Sequence, residues 1–369
     1  MGLRLLHTAD WQLGKPFGSI PGDAGALLRE ARFAAVRTLA RLARQHEVAA
    51  VLVAGDVFDA NTVTDATVHK ALQAMAGFPG PWVLLPGNHD ACLAECVWTR
   101  LERLGRPANL ICATAPEPVP LADGRIVVLP APLTARTTLD DLTAWMDAAE
   151  TPSGAFRIGL AHGSVSGRLP AAAEAGNPIA PDRADRARLD HLALGDWHGV
   201  LEVAPRTWYA GTPEPDRFPD NEPGHALLVE LDQPGLPPRV RRLDVATYRW
   251  RRQRLDLTGE PDPAAAVDRL LEGASDLERS LLALELCGSV DLGGRLRLDQ
   301  ALGRWAARLC HLAVDDDALD LAVGSGPEDG LDGVIGVVAE RLAGRAVAGD
   351  AEAALALRLL HGALPRLAP

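Results

Sequence analysis

Short apolar runs alternate with polar stretches that carry apolar residues every three or four positions over the first two hundred residues. Runs of this kind form buried strands, and the spaced positions form the core-facing stripe of crossover helices. The pattern predicts strands at Leu3–Thr8, Ala49–Ala54 and Trp82–Leu85, then at Ile126–Leu129, Arg157–Ala161 and Leu192–Leu194. Between them it predicts a helix through Leu28, Ala31, Ala35, Leu39 and Leu42, and others over Thr64–Met75, Leu93–Leu104 and Leu139–Ala149. An α/β fold follows.

The rhythm changes near Arg206. Thr207–Ala210, His225–Leu231, Arg239–Val245 and Arg249–Leu257 read as strands without intervening helices, separated by proline-rich turns. A helix at Ala264–Leu271, a strand at Ser280–Leu286 and helices at Leu331–Leu342 and Ala351–Leu360 complete the expected elements. These changes divide the chain into 1–245, 246–330 and 331–369. The run Asp315, Asp316, Asp317 with Asp320 reads as a solvated loop, because the glycine and glutamate of a calcium loop are not in place.

Composition sets bounds on this picture. The chain has 369 residues, 47% of them hydrophobic, enough to bury a substantial core. No run approaches the ~20 apolar residues that span a bilayer, and a His and an Asp interrupt the start, so a cytoplasmic protein without a membrane partner is expected. Five cysteines without repeated CxxC spacing favour neither a disulfide framework nor a zinc ribbon, and Cys92 and Cys96 read as core thiols on one helix. The net charge of −12 argues against a polyanionic partner, but it is unevenly spread. Residues 1–110 hold 11 basic and 10 acidic groups, whereas residues 261–369 hold 10 and 18.

Polar metal-ligand types sit just past successive strands, where open α/β sheets place their ligands. They are Asp10 and Gln12 in HTADWQLGK, Asp56 and Asp59 in AGDVFD, Asn88, His89 and Asp90 in LPGNHD, His162 in LAHG, and Asp196 and His198 in LGDWHG. One such cluster is an ordinary turn. Five at consecutive strand ends form a set.

This ordered set resembles the calcineurin-like metallophosphoesterases, whose pattern runs DxH, GDxxD, GNHD or GNHE, H, GHxH. The wording HTADWQLGK, VAGDVFD, LPGNHD and TWYAGTPEP resembles, within that superfamily, the SbcD-like nuclease subunits of DNA repair complexes of the SbcCD type. The resemblance implies a metallophosphoesterase sandwich of two mixed sheets flanked by helices over 1–245. A smaller C-terminal α+β capping or DNA-binding region at 246–330 and a helical segment at 331–369 would follow. It also implies a DNA exo/endonuclease that uses two divalent metal ions, Mn2+ before Mg2+, works with an SbcC-type ATPase, and forms a homodimer. Paired ions suit the chemistry, since they activate water and clamp phosphate oxygens when about 3.5–4 Å apart.

Carried over position by position, Asp56 bridges the ions, Asp10, Gln12 and His198 complete one metal site, and Asn88, His162 and Asp196 the other. His89 matches the proton donor to the leaving oxygen, and Asp59 and Asp90 orient the residues around them. The chain departs from the family at two places: DxH reads Asp10-Trp11-Gln12, and GHxH reads Gly195-Asp196-Trp197-His198. Each site loses an imidazole and the centre gains a carboxylate, which favours manganese or magnesium over zinc. A small-molecule phosphodiesterase or phosphatase of the same fold, or a non-catalytic scaffold with a weakened centre, remain the alternatives. Seven arginines between Arg239 and Arg254 lie among Tyr248 and Trp250. Arg249, Trp250, Arg251 and Arg252 could grip DNA phosphates and bases, or the run could be a solvated strand pair whose arginines meet the acidic tail.

Overall fold

Branched and aliphatic runs flanked by Gly, Pro and Asp turn into strands here because each side chain they carry finds apolar partners on both faces of a sheet. A computed structural model describes residues 2–169, 176–218, 221–321 and 333–363, in two compact units, 1–248 and 249–369. The first unit begins with β1 (Leu3–Thr8), α1 (Asp23–Gln45), β2 (Ala50–Val53), α2 (Asp65–Met75), β3 (Trp82–Leu84), α3 (Val97–Arg103) and β4 (Leu110–Cys112). Then come β5 (Val119–Leu121), β6 (Ile126–Ala131), β7 (Phe156–His162), the short β8 (Ser164–Val165) and β9 (Pro178–Ile179), and α4 (Arg183–Arg186). β10 (His191–Gly195), β11 (Leu201–Ala204), β12 (Thr207–Tyr209), β13 (His225–Leu231) and β14 (Arg239–Asp244) complete it.

Two mixed six-stranded sheets result, ordered β14-β13-β1-β2-β3-β4 and β11-β12-β10-β7-β6-β5. β1 to β4 are mutually parallel, as are β6, β7, β10 and β12, while β13 and β14 close the first sheet antiparallel. Leu5, Leu52, Val83, Val128, Ile158, Leu160 and Ala193 fill the space between the sheets. The opposite face of the first sheet, with Leu6, Val51 and Trp82, packs on Val36 and Leu39 of α1, Val68 of α2 and Trp98 of α3. This is the expected sandwich of two mixed sheets flanked by helices, and it turns the C-terminal ends of β1, β2, β3, β7 and β10 toward one edge.

The second unit alternates β15 (Arg249–Asp256), α5 (Pro263–Leu271), β16 (Ser280–Val290), α6 (Leu292–Ala306) and β17 (His311–Leu321), followed by α7 (Gly333–Val347) and α8 (Ala351–Ala363). Its three strands are parallel, in the order β15-β16-β17, with Leu257, Val267, Leu284, Leu286, Leu298 and Trp305 in the core. Residues 331–332 of the helix expected there, and the division expected at 330/331, fall outside the described residues.

Three local expectations are corrected. Residues 139–149 form only a short 3-10 turn, Ala144–Asp147. The Asp141 carboxylate accepts from the Thr143 backbone at 2.9 Å and from Ala180 at 3.0 Å, and pairs with Arg183, so it binds the chain locally in a non-helical path. The helix expected from Leu93 starts at Val97, because Asn61 captures Val97 N–H and the Ala91 carbonyl, and Leu133 accepts from Cys92. Cys92 therefore precedes the helix and Cys96 caps it, so the two do not share a helix face; both pack on the first core as free thiols. The aspartates at 315–317 and 320 lie within β17, not in a loop; Asp316 pairs with Arg295 of α6 at 2.6 Å. Beyond these, β4, β5, β11 and α6 had no signal strong enough to be predicted.

One buried pair links the sheets. His7 Nε2–H donates to the Leu194 carbonyl at 3.1 Å, and its Nδ1 lies 3.4 Å from Nε2 of His191, both rings fully buried. Burial lowers His7 to about 3 and His191 well below the usual imidazole value. With folded pKa values below the unfolded one, the unfolded chain takes up protons first as the pH falls. Stability is therefore undiminished above about pH 6.5 and is lost progressively below it. Chemical denaturation at pH 7.5 and at pH 5 should show His7→Gln losing about 2 kcal/mol less stability across that interval than the unsubstituted protein. Equal losses would place the acid sensitivity elsewhere.

Candidate metal centre

The strand ends that meet at one edge of the sandwich carry their polar residues in unusual backbone conformations. Asp10, Gln12, Asp56 and Asp196 all have positive φ, at 55°, 43°, 52° and 103°. Non-glycine residues adopt this region at a cost, and such outliers concentrate at functional sites. Here the conformation turns each side chain back over the end of its strand. Glycines leave the room: a Cβ on Gly87 would collide with the Asp56 carboxylate, and one on Gly55 with the His162 ring.

Among the described residues, one group of three acidic, His or Cys side chains has ligand atoms all within 4.8 Å of one another: Asp10, Asp56 and His162, all buried. His162 donates from Nδ1 to the Ala54 carbonyl at 2.8 Å, which aims Nε2 into the group, 3.6 Å from Asp56 Oδ1 and 3.9 Å from Asp196 Oδ1. Asn88 Oδ1 lies 2.9 Å from that same Nε2. The amide oxygen thus faces the Asp56 carboxylate and the imidazole together, acceptor against acceptor, and only a turned amide or a cation among them relieves the conflict. Converging carboxylate, amide oxygen and imidazole lone pairs are a donor set that suits a divalent ion such as manganese or magnesium. Asp196 stands at the rim: its N–H donates to both Asp10 oxygens at 3.2 Å, and its carboxylate accepts from Ser164 Oγ at 3.0 Å.

Gln12 and His198 lie together on the other side. Gln12 Nε2 is 3.5 Å from His198 Nε2, while its Oε1 accepts from Lys15 Nζ at 3.1 Å. His198 Nδ1 donates to Asp216 Oδ1 at 3.2 Å, and Lys15 pairs with Asp216 Oδ2 at 2.8 Å. Burial resists ionisation of Asp216, but the His198 hydrogen bond and charge, with Arg32 and Lys15, override it and hold the carboxyl far below the usual range.

His89 stands over the acidic group. Its backbone N–H donates to Asp56 Oδ1 at 2.9 Å, and its Nδ1 donates to the Asp59 carbonyl at 2.8 Å, leaving Nε2 free of that bond. Asp59 thus acts through its main chain. Asp90 is fully buried and ties two loops together, accepting from Gly87 at 2.7 Å and Phe58 at 3.0 Å. Arg249, Arg251 and Arg252 are exposed on β15, whereas Trp250 is buried. Of the neighbouring arginines, Arg239 pairs with Asp232, Arg241 with Glu230, Arg242 with Glu222 and Arg254 with Glu285.

Sequence reasoning missed Lys15, Arg32, Glu214 and Asp216. Arg32 is buried and donates to the carbonyls of Trp11 at 2.6 Å, Glu214 at 2.9 Å and Asp10 at 3.3 Å, pinning the first ligand loop to residues 212–214. The Glu214 carboxylate accepts from Thr247 and Tyr248 at 2.7 and 2.9 Å. A signal existed for Arg32, since it interrupts the apolar stripe of α1 between Leu28 and Ala35.

Two stacked mixed sheets with acidic, amide and imidazole ligands at their strand ends define a metal-dependent phosphoesterase. The chain belongs to the calcineurin-like phosphoesterase family, whose model matches residues 3–198. It is 28% identical over 208 residues to an uncharacterised metallophosphoesterase, YhaO, of Bacillus subtilis, covering 53% of this chain and 48% of that protein. It is 37% identical over 97 residues to the SbcD component of the nuclease SbcCD of Escherichia coli, covering 24% of this chain and 22% of that protein. The chain therefore spans about half or less of the length of these curated relatives. Among the described residues no helix is long and apolar enough to cross a membrane.

The electrostatics give a pH test. Burial opposes a charged His162, but Asp56, Asp10 and Asp196 outweigh it and push His162 up to about 9 in the metal-free protein. Burial, with Asp56 and Asp196, pushes Asp10 up to about 7 against the pull of His198 and His162. A cation must displace these protons, so affinity rises with pH. Titration calorimetry with manganese should show proton release and roughly a tenfold gain in affinity per pH unit between pH 7 and 8.5. A flat profile would mean that His162 does not meet the ion.

Proposed function

We propose that this chain is the nuclease subunit of a DNA repair complex, hydrolysing DNA phosphodiesters with manganese as the preferred ion. The observation that carries the reading is the convergence of Asp10, Asp56, Asn88 and His162 beneath His89, all held at the strand ends of a metallophosphoesterase sandwich. The 97-residue similarity to the SbcD component of SbcCD supports DNA as substrate and an ATPase of the SbcC type as partner in a dimeric assembly. Asp56, with Asp10, His162, Asn88 and Asp196, would hold metal, and Gln12 and His198 border it. When bound, divalent ions supply the activation of water and neutralise charge on the phosphate.

The chain's own residues organise the rest. Because the Nδ1 hydrogen of His89 is committed to the Asp59 carbonyl, its Nε2 can deliver a proton to a leaving oxygen only from the doubly protonated ring. The Asp56 carboxylate holds the His89 backbone in place, so ligand and proton donor are set by one residue. In the second unit, exposed Arg249, Arg251 and Arg252 offer three forked donors along β15, a chemistry that suits the phosphates of a DNA backbone.

His89→Ala should lower manganese-dependent cleavage of linear DNA by about 100-fold or more, with an unchanged circular dichroism spectrum. Undiminished cleavage would remove His89 as the donor, and cleavage of nucleotides or aryl phosphodiesters without DNA would transfer the activity to small molecules. Replacing Arg249, Arg251 and Arg252 with Ala should weaken DNA binding and flatten its salt dependence by roughly 0.9 for each phosphate no longer held. An unchanged slope would return these arginines to a solvated surface.

A further inference from the structure

The two sides of the centre differ in one respect that the ligand pattern does not explain. On the side of Asp10, Asp56, Asn88 and His162, acceptors face acceptors. On the side of Gln12 and His198, every polar atom already has a partner from the protein. Lys15 has three donors and no acceptor, so the Gln12 oxygen must point to it, and the Gln12 amide nitrogen must point toward His198. That amide presents N–H groups, which cannot ligate a cation. His198 is engaged at both nitrogens, by Gln12 and by Asp216, and the two Asp216 oxygens are shared between His198 and Lys15. The ring Lys15, Gln12, His198, Asp216 is therefore closed, with a positive charge already in it.

The turn that closes the ring is local. Lys15 N–H donates to the Gln12 carbonyl at 3.2 Å, and Gly14 between them has φ 98°, a conformation that folds the chain back so that the ammonium reaches the amide of Gln12. The same turn places Lys15 beside Asp216, whose buried carboxylate needs a counter-charge.

Building on the metallophosphoesterase reading, we infer that Lys15 takes the place of the cation on the Gln12 and His198 side. The chain then holds one tightly bound divalent ion, among Asp10, Asp56, Asn88 and His162, instead of two of similar affinity. Lys15 is a positioning residue: it fixes Gln12 and Asp216, and through Asp216 the ring of His198.

Manganese binding to the full chain, measured by equilibrium dialysis with metal analysis and by electron paramagnetic resonance, tests this without reference to activity. The unsubstituted protein should retain one ion per chain with a mononuclear signal, and any second ion should bind at least about tenfold more weakly. Lys15→Met should free the Gln12 oxygen and tighten the second ion by about tenfold, with a spin-coupled signal appearing. Lys15→Arg, which keeps the charge, should retain one ion. Two ions of equal affinity in the unsubstituted protein would overturn the inference and leave the phosphoesterase reading standing, and that result needs no variant to fold. Folded Lys15→Met protein with unchanged second-ion affinity would also overturn it. Retention of no ion would instead overturn the phosphoesterase reading beneath it.

Discussion

A buried acceptor that faces only other acceptors is among the costliest arrangements a protein interior can hold. At the edge of this sandwich the Asp56 carboxylate, the Asn88 amide oxygen and the His162 Nε2 lone pair meet in that way, with Asp10 at their side. Without a cation the positive charge has to come from protons, and the cluster raises His162 to about 9 and Asp10 to about 7 to obtain them. The conflict is a stored affinity for positive charge, and the rest of the first unit serves to keep it from relaxing.

Several layers prevent that relaxation. Parallel strands deliver five chain segments to one edge, and positive φ at Asp10, Asp56 and Asp196 bends their side chains inward. Gly55 and Gly87 admit His162 and Asp56 to positions that any side chain there would block. Asp90 clamps the Gly87 and Phe58 loops together, and Arg32 does the same for the Asp10 loop and residues 212–214. The guanidinium of Arg32 is itself buried, yet it is satisfied by carbonyls, so it fixes backbone rather than neutralising ligands.

What could be read from the sequence follows the range over which each interaction acts. β1 and β13 were predicted to the residue, because strand runs bounded by turns are local signals. The residues of the acidic group were also legible, since each sits a fixed few positions after a strand. Helix 139–149 failed because Asp141 commits its carboxylate to Ala180 and Arg183, some forty residues away. The aspartates of β17 looked like a loop because strand pairing with β16, not composition, fixes them. Lys15 and Asp216 escaped notice for a related reason: they gain meaning only when residues far apart in the chain close on Gln12 and His198.

The central claim is that the Asp10, Asp56, Asn88 and His162 group is completed by a divalent cation. Thermal unfolding of chelator-stripped protein with and without manganese tests it most directly, with Asp56→Asn as the control. Ligand linkage predicts a clear rise in Tm on adding manganese in excess of its Kd, and no rise for the variant. A Tm indifferent to manganese in the unsubstituted protein would contradict the account.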